Sequence, residues 1–301
     1  RRPDGAEIYW ETSGNPDGKP ALYLHGGPGS GLGDGSYRRR FDAERHLIVG
    51  IDQRGCGRSV PWAIDDLSGL DSNTTDALVG DVDAVRAMLG VERWLVHGVS
   101  WGSTLALAYA LEHPLAVSEL VLTAVTSGSR EEIDWISDGV GMLFPEVHER
   151  HTAAVPRGVR AVTFYAALLR DPDPVVRSRA ALAWDGWENT HVSLDPGWAG
   201  APASPGGRVL ENKATLVTHY WAHDCFLPTG RAILDRIAVL RDVPAVLIHG
   251  RRDLSSPVLT AWRLHRAWPA SRLHIVEAEG HGGPEEWRLT VAAIDGFLAD
   301  P

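Results

Sequence analysis

The chain has 301 residues, of which 44% are hydrophobic and 23% charged, with a formal net charge of −10. That length can bury a sizeable core unaided, and Cys56 and Cys225, the only cysteines, are too few for a disulfide framework and lack zinc-ligand spacing. The acidic balance opposes nucleic-acid binding, which depends on attraction to phosphates, and no apolar run approaches the ~20 residues that span a bilayer.

The first segment, residues 1–17, is polar and has no signal-like apolar stretch, so the expected location is cytoplasmic, with neither membrane nor nucleic acid as a partner. Ala21–Leu24 is the first short apolar run and ends in His25-Gly26-Gly27-Pro28-Gly29. His46–Ile51 is the second and ends in Asp52-Gln53-Arg54-Gly55. Asp76–Leu89 carries apolar residues at helical spacing, Trp94–His97 is a third run, Trp101–Glu112 reads as an Ala- and Leu-rich helix, and Leu120–Val125 is a fourth run. Strands without polar alternation, separated by helices, predict a mostly parallel sheet covered on both faces. From Glu131 to about Arg236 that rhythm lapses into helical, Trp-rich stretches and a Pro-, Gly- and Ala-rich loop over Ser193–Gly207. It resumes with Ala245–His249, a helix over Val258–Trp268, the run Arg272–Val276 and a last helix over Glu285–Leu298. The expected organisation is an α/β core of residues 1–126 and 237–301, interrupted by a mostly helical insertion over 127–236. Six of the twelve tryptophans (Trp62, Trp135, Trp184, Trp187, Trp198 and Trp221) lie outside the expected sheet; they either pack structurally or line an apolar substrate cleft.

The strongest chemical signal is Gly98-Val99-Ser100-Trp101-Gly102, placed between a strand and a helix as a nucleophile elbow requires. Glycines flank the serine because side chains clash at so tight a bend, and the helix start favours negative charge beside Ser100. A serine nucleophile needs a base, and the base a carboxylate that fixes its tautomer. His281, between Gly280 and Gly282 after the last strand, and Asp253, just beyond Ala245–His249, complete the chain order Ser, Asp, His of the α/β-hydrolase fold. Asp242 and Asp295 are poorer acids, because one precedes its strand and the other sits in the terminal helix. Two N–H donors must face the oxyanion; Trp101 supplies one, and Gly27, or in reserve Gly26, the other. Asp52–Ser59 reads as a brace for the surrounding loops, and Cys56 has no histidine pattern that would make it a nucleophile.

Together these segments resemble the proline iminopeptidase (prolyl aminopeptidase) family of α/β-hydrolases. The similarity extends over Asp4–Trp10, Gly14-Asn15-Pro16, Asn73-Thr74-Thr75, Gly98–Ala110, Phe144-Pro145, Ala181–Glu188 and His219-Tyr220-Trp221. It implies a metal- and cofactor-free enzyme that releases an N-terminal proline or small residue, with a helical cap whose carboxylates hold the substrate's ammonium group. Glu188 matches the first of those carboxylates. The second falls on Val217, a loss expected to weaken amine recognition by about 1.5–3 kcal/mol. Thr126 replaces a family phenylalanine, Ile136 or Ser137 a tyrosine, and Trp221 a phenylalanine. The cap is therefore altered while the catalytic floor is kept. Three readings follow: a prolyl aminopeptidase, a hydrolase of another small-molecule amide or ester, and a non-hydrolytic or ligand-binding member of the fold. The sequence leaves the oligomeric state open.

Overall fold

Runs rich in Val, Ile and Leu with no polar alternation are satisfied only where a sheet is covered on both faces. In the computed structural model, which describes residues 1–192, 194, 206–227 and 232–299, they form a seven-stranded sheet of order β1-β3-β2-β4-β5-β6-β7. The strands are β1 (Trp10–Gly14), β2 (Lys19–Leu24), β3 (His46–Ile51), β4 (Trp94–Val99), β5 (Val117–Thr123), β6 (Ala245–Gly250) and β7 (Ser271–Val276). All neighbours are parallel except β1, which pairs antiparallel with β3. Alternation along β2 shows the two-faced burial directly: Leu22 and Leu24 join one apolar cluster, Ala21 and Tyr23 the other.

Helices α1 (Thr75–Met88) and α2 (Trp101–Glu112) supply side chains to the first cluster, which also receives Ala261 and Leu264 from α9 (Leu259–Ala267). The terminal helix α10 (Pro284–Ala299) gives Ile294 and Phe297 to the second. Helix α2 is buried from Trp101 through Leu111, as expected of a helix that is apolar all round. Between β5 and β6 run α3 (Arg130–Ser137), α4 (Pro145–Thr152), α5 (Ala161–Leu168), α6 (Pro174–His191), α7 (Gly207–Ala222) and the short α8 (Ile233–Arg236). Their core is aromatic. The His151 ring stacks on Tyr165 at 4.5 Å and on Trp187 at 5.1 Å, with Trp184 beside it; burial pushes His151 down to about 4, so the ring is neutral.

Two expectations need correction. Strand β1 is absent from the sequence reading, because Trp10-Glu11-Thr12-Ser13-Gly14 is a half-exposed edge segment with one large apolar residue. The strand expected over Leu120–Val125 begins at Val117 and stops at Thr123, where Ala124 turns to a φ of 49°. The expected Ser193–Gly207 loop, Trp198 included, lies outside the described residues except for Leu194, Gly206 and Gly207. Among the described residues no helix is long and apolar enough to cross a membrane.

Candidate active site

Ser100 stands between β4 and α2 with φ 56° and ψ −126°, a conformation that costs backbone strain and lifts the side chain off the sheet. Close packing makes that bend possible. A Cβ on Gly98 would lie 2.3 Å from the Gly102 carbonyl oxygen, and a Cβ on Gly26 only 3.2 Å from the Ser100 Cβ. The Ser100 carbonyl accepts the hydroxyls of Ser103 at 2.7 Å and Thr126 at 3.1 Å, so the turn is pinned from both sides.

The loops after β6 and β7 interlock through backbone contacts. Arg252 N–H donates to the Glu279 carbonyl at 2.9 Å, and a Cβ on Gly250 would sit 2.0 Å from the Gly280 carbonyl oxygen. The buried Glu279 carboxylate accepts the N–H groups of Glu285 and Glu286 at 2.7 and 2.8 Å, capping the start of α10 and folding the loop that carries His281. As a result His281 Nε2 lies 2.9 Å from Ser100 Oγ, and His281 Nδ1 lies 2.7 Å from Asp253 Oδ2. The other Asp253 oxygen accepts Ser256 N–H at 2.9 Å. Burial alone would raise the Asp253 carboxyl, but the charge and hydrogen bond of His281 outweigh it and hold it below the usual range. Burial likewise pushes His281 down, and the Asp253 carboxylate more than reverses this, leaving it raised. A histidine held this way can take a proton from the hydroxyl and stay paired as an imidazolium.

Opposite His281, the loop His25–Gly29 packs over the elbow. The Gln53 side chain fixes both: its amide nitrogen donates to the His25 carbonyl at 2.8 Å, and its oxygen accepts Trp101 Nε1–H at 2.9 Å. Trp101 is the first residue of α2, where a backbone N–H has no partner one turn back. A cavity of about 390 Å³ opens over Ser100, Trp101, Gly26, Gly27 and His281, within the size range of small-molecule sites. Its walls also include Thr126, Ile136, Glu188, Trp221, Glu132, Lys213 and Cys225.

A family profile described as the α/β-hydrolase fold matches residues 19–286. A probable proline iminopeptidase of Streptomyces coelicolor is 46% identical over 301 residues, spanning 98% of this chain and 92% of that protein. The proline iminopeptidase of Neisseria gonorrhoeae is 40% identical over 279 residues, 91% of this chain and 86% of its own. This chain belongs to the proline iminopeptidase family of α/β-hydrolases. Among solved structures, the Mycobacterium smegmatis proline iminopeptidase superposes with a TM-score of 0.58 at 21% identity, covering 98% of this chain and 95% of that one. An esterase from Exiguobacterium antarcticum gives 0.61 at 18%, covering 99% and 97%; at such identities the likeness speaks for the fold.

For this family member the structure brings most sequence-predicted site residues to one cavity; Asp253 is buried behind His281, to which it is hydrogen-bonded, and Val217 stands apart. Val217 is fully buried in the apolar core of α7 and absent from the cavity wall; Lys213, one turn earlier, and Trp221, one turn later, are the α7 side chains that line it. Of the six tryptophans read as packing or cleft residues, Trp221 lines the cavity and Trp184 and Trp187 pack among the helices between β5 and β6. Trp135 donates to the Leu254 carbonyl at 2.7 Å, tying α3 to the loop of Asp253. Asp52 and Arg54 do brace loops: the Asp52 carboxylate takes Leu32 N–H and Arg58, and Arg54 pairs with buried Asp81. Gln53, between them, was not singled out; it is the polar, uncharged residue of a charged loop.

Glu286 is a further group that sequence reasoning missed. It is 1% exposed, and burial, reinforced by the Asp253 charge and partly offset by His281, pushes its carboxyl up to about 8 from an ordinary 4.5. Between those values the folded chain keeps a proton that the unfolded chain has released, so this contribution to stability is full below the unfolded value and declines as pH rises through the window. Glu286→Gln should abolish the decline and stabilise the protein by several kcal/mol at pH 8.5, at ~1.4 kcal/mol per unit. Urea midpoints at pH 5 and 8.5 check this: the gap between variant and parent should be small at the first and wide at the second.

Proposed function

We propose that this enzyme is a serine hydrolase that works through an acyl-enzyme and releases an N-terminal proline or small residue from peptides. The observation that carries the reading is the unbroken hydrogen-bonded chain Asp253–His281–Ser100, at 2.7 and 2.9 Å, whose His281 and Ser100 open on a cavity that Glu188 also lines. The names of its relatives give the same activity. Ser100 Oγ attacks the acyl carbonyl as His281 Nε2 takes its proton, and Asp253 stabilises the imidazolium. The backbone N–H groups of Trp101 and Gly27, with Gly26 as the alternative to the latter, receive the oxyanion. His281 then returns the proton to the departing amine as the carbon–nitrogen bond breaks. A water, deprotonated by His281, cleaves the ester on Ser100 and regenerates the hydroxyl. Residues 127–236 act as the cap over a core of 1–126 and 237–301, and Glu188 meets the substrate's ammonium. Two free, buried cysteines suit the reducing cytoplasm.

The test is hydrolysis of L-proline 2-naphthylamide together with labelling by a fluorophosphonate. Both should occur in the parent and vanish in Ser100→Ala, with kcat lowered at least ~10³-fold; unchanged turnover in Ser100→Ala would refute the mechanism. A second reading, hydrolysis of an amide or ester whose acyl group bears no amine, is favoured by the placement of Val217 in the core and of Lys213 on the cavity wall.

A further inference from the structure

Helices α6 and α7 each contribute one charged side chain to the cavity above Ser100: Glu188 and Lys213. They face each other, with Lys213 Nζ 3.4 Å from Glu188 Oε2. Both are largely withdrawn from solvent, the glutamate side chain 14% exposed and the lysine 31%, and the Glu188 charge raises the lysine's affinity for its proton. The carboxylate that would receive a substrate's amine already has an ammonium beside it.

Among the described residues, no second carboxylate in the wall is open to relieve this. Glu132 lines the same cavity, but its oxygens accept Ser127 N–H, Ser129 N–H and the hydroxyls of Ser127, Ser129 and Thr260. It is committed to holding the start of α3. Val217, which follows Lys213 by one turn on the same stripe of α7, is buried in the core.

We infer that Lys213 is a specificity-determining residue: its ammonium competes with a substrate's N-terminal ammonium for Glu188 and shifts acceptance toward acyl groups uncharged at that end. The inference rests on the reading of Ser100 as the nucleophile of this cavity. Two cations sharing one partly buried carboxylate repel each other, and the substrate's cation must also shed its water to enter. A neutral acyl group meets neither cost and leaves the Glu188–Lys213 pair intact. The lysine therefore tunes selectivity without touching the reacting atoms.

The experiment compares L-proline 2-naphthylamide with cyclopentanecarboxylic acid 2-naphthylamide, an acyl group of the same ring size without the amine. Lys213→Met keeps the length of the side chain and removes its charge; it should raise the ratio of kcat/KM for the prolyl over the cyclopentyl amide at least tenfold. Lys213→Arg should keep the parent ratio, which a merely structural role for the aliphatic stem would not distinguish from Lys213→Met. In a Glu188→Gln background, Lys213→Met should no longer raise the ratio. Calorimetric binding of L-prolinamide to Ser100→Ala, with and without Lys213→Met, gives the same comparison free of turnover, and Lys213→Met should tighten it at least tenfold. An unmoved binding constant overturns the inference whatever the turnover. A tightened one with neither amide cleaved would leave the inference standing and refute the reaction assigned to Ser100.

Discussion

Replacing Asp253 with asparagine should lower kcat by roughly 10³–10⁴-fold and leave the fold in place. The hydrogen bonds around the carboxylate dictate the result. Ser256 N–H points at one oxygen and His281 Nδ1 at the other. An asparagine must turn its oxygen to Ser256 N–H, because the alternative sets two donors against each other. Its NH₂ group then faces His281 Nδ1 and requires that nitrogen to accept. The imidazole proton moves to Nε2, which points at Ser100 Oγ, and the histidine can no longer take the serine's proton. His249 offers no substitute. Its Nδ1 accepts Val125 N–H at 2.9 Å, and its Nε2 donates to the Ser256 carbonyl. The pH profile carries a second signature. With the Asp253 charge gone, the burial that lowers His281 loses its main opponent, so the acid limb of residual kcat/KM should move to lower pH. A variant within tenfold of the parent, with an unmoved acid limb, would show that Asp253 does not orient the base.

The contrast between what the sequence showed and what it hid has a physical origin. Ser100, Asp253 and His281 were legible because each is fixed by local punctuation at a strand end: glycines about Ser100, the Gly250 turn before Asp253, and glycines on both sides of His281. Backbone sterics set those positions, and sterics leave a trace in the residue types. The parallel sheet was legible for the same reason, because burial on both faces demands runs such as Ala245-Val246-Leu247-Ile248. Strand β1 was not, since an edge strand exposed on one side needs no such run. The cavity wall was least legible. Lys213 and Val217 lie one turn apart on one helix, and the resemblance to the family points to the position where a carboxylate is missing, not to the lysine that lines the cavity. In sequence Glu286 looks like the acidic residue usual at a helix start and Glu279 like an ordinary loop residue. Burial beside Asp253 and His281, which is tertiary information, makes Glu279 a cap for α10 and Glu286 a proton-holding acid.

The elbow allows a prediction in which stability and activity fall together for one steric reason. Gly102 lies in the first turn of α2, where a Cβ would sit 2.1 Å from the Leu24 carbonyl oxygen and 2.8 Å from that of His25. Both contacts are backbone at the end of β2, so no side chain can swing aside. Gly102→Ala must therefore push α2 away from the sheet, at about 3 kcal/mol, the upper end of overpacking costs. The displaced helix carries Ser100 and the Trp101 N–H with it, away from the loop of Gly26 and Gly27 to which Gln53 ties it. A misplacement of ~1 Å in such a constellation costs about 10²-fold in rate, so kcat/KM should fall by at least that factor in protein that is still folded. Gly186, inside α6, is the control. A Cβ there meets nothing within 4 Å, and Gly186→Ala should gain up to ~1 kcal/mol of helix stability with activity unchanged. Thermal melts and kcat/KM measured on both variants decide the matter. If Gly102→Ala proves as stable and as active as Gly186→Ala, the close approach of α2 to β2 does not position the nucleophile.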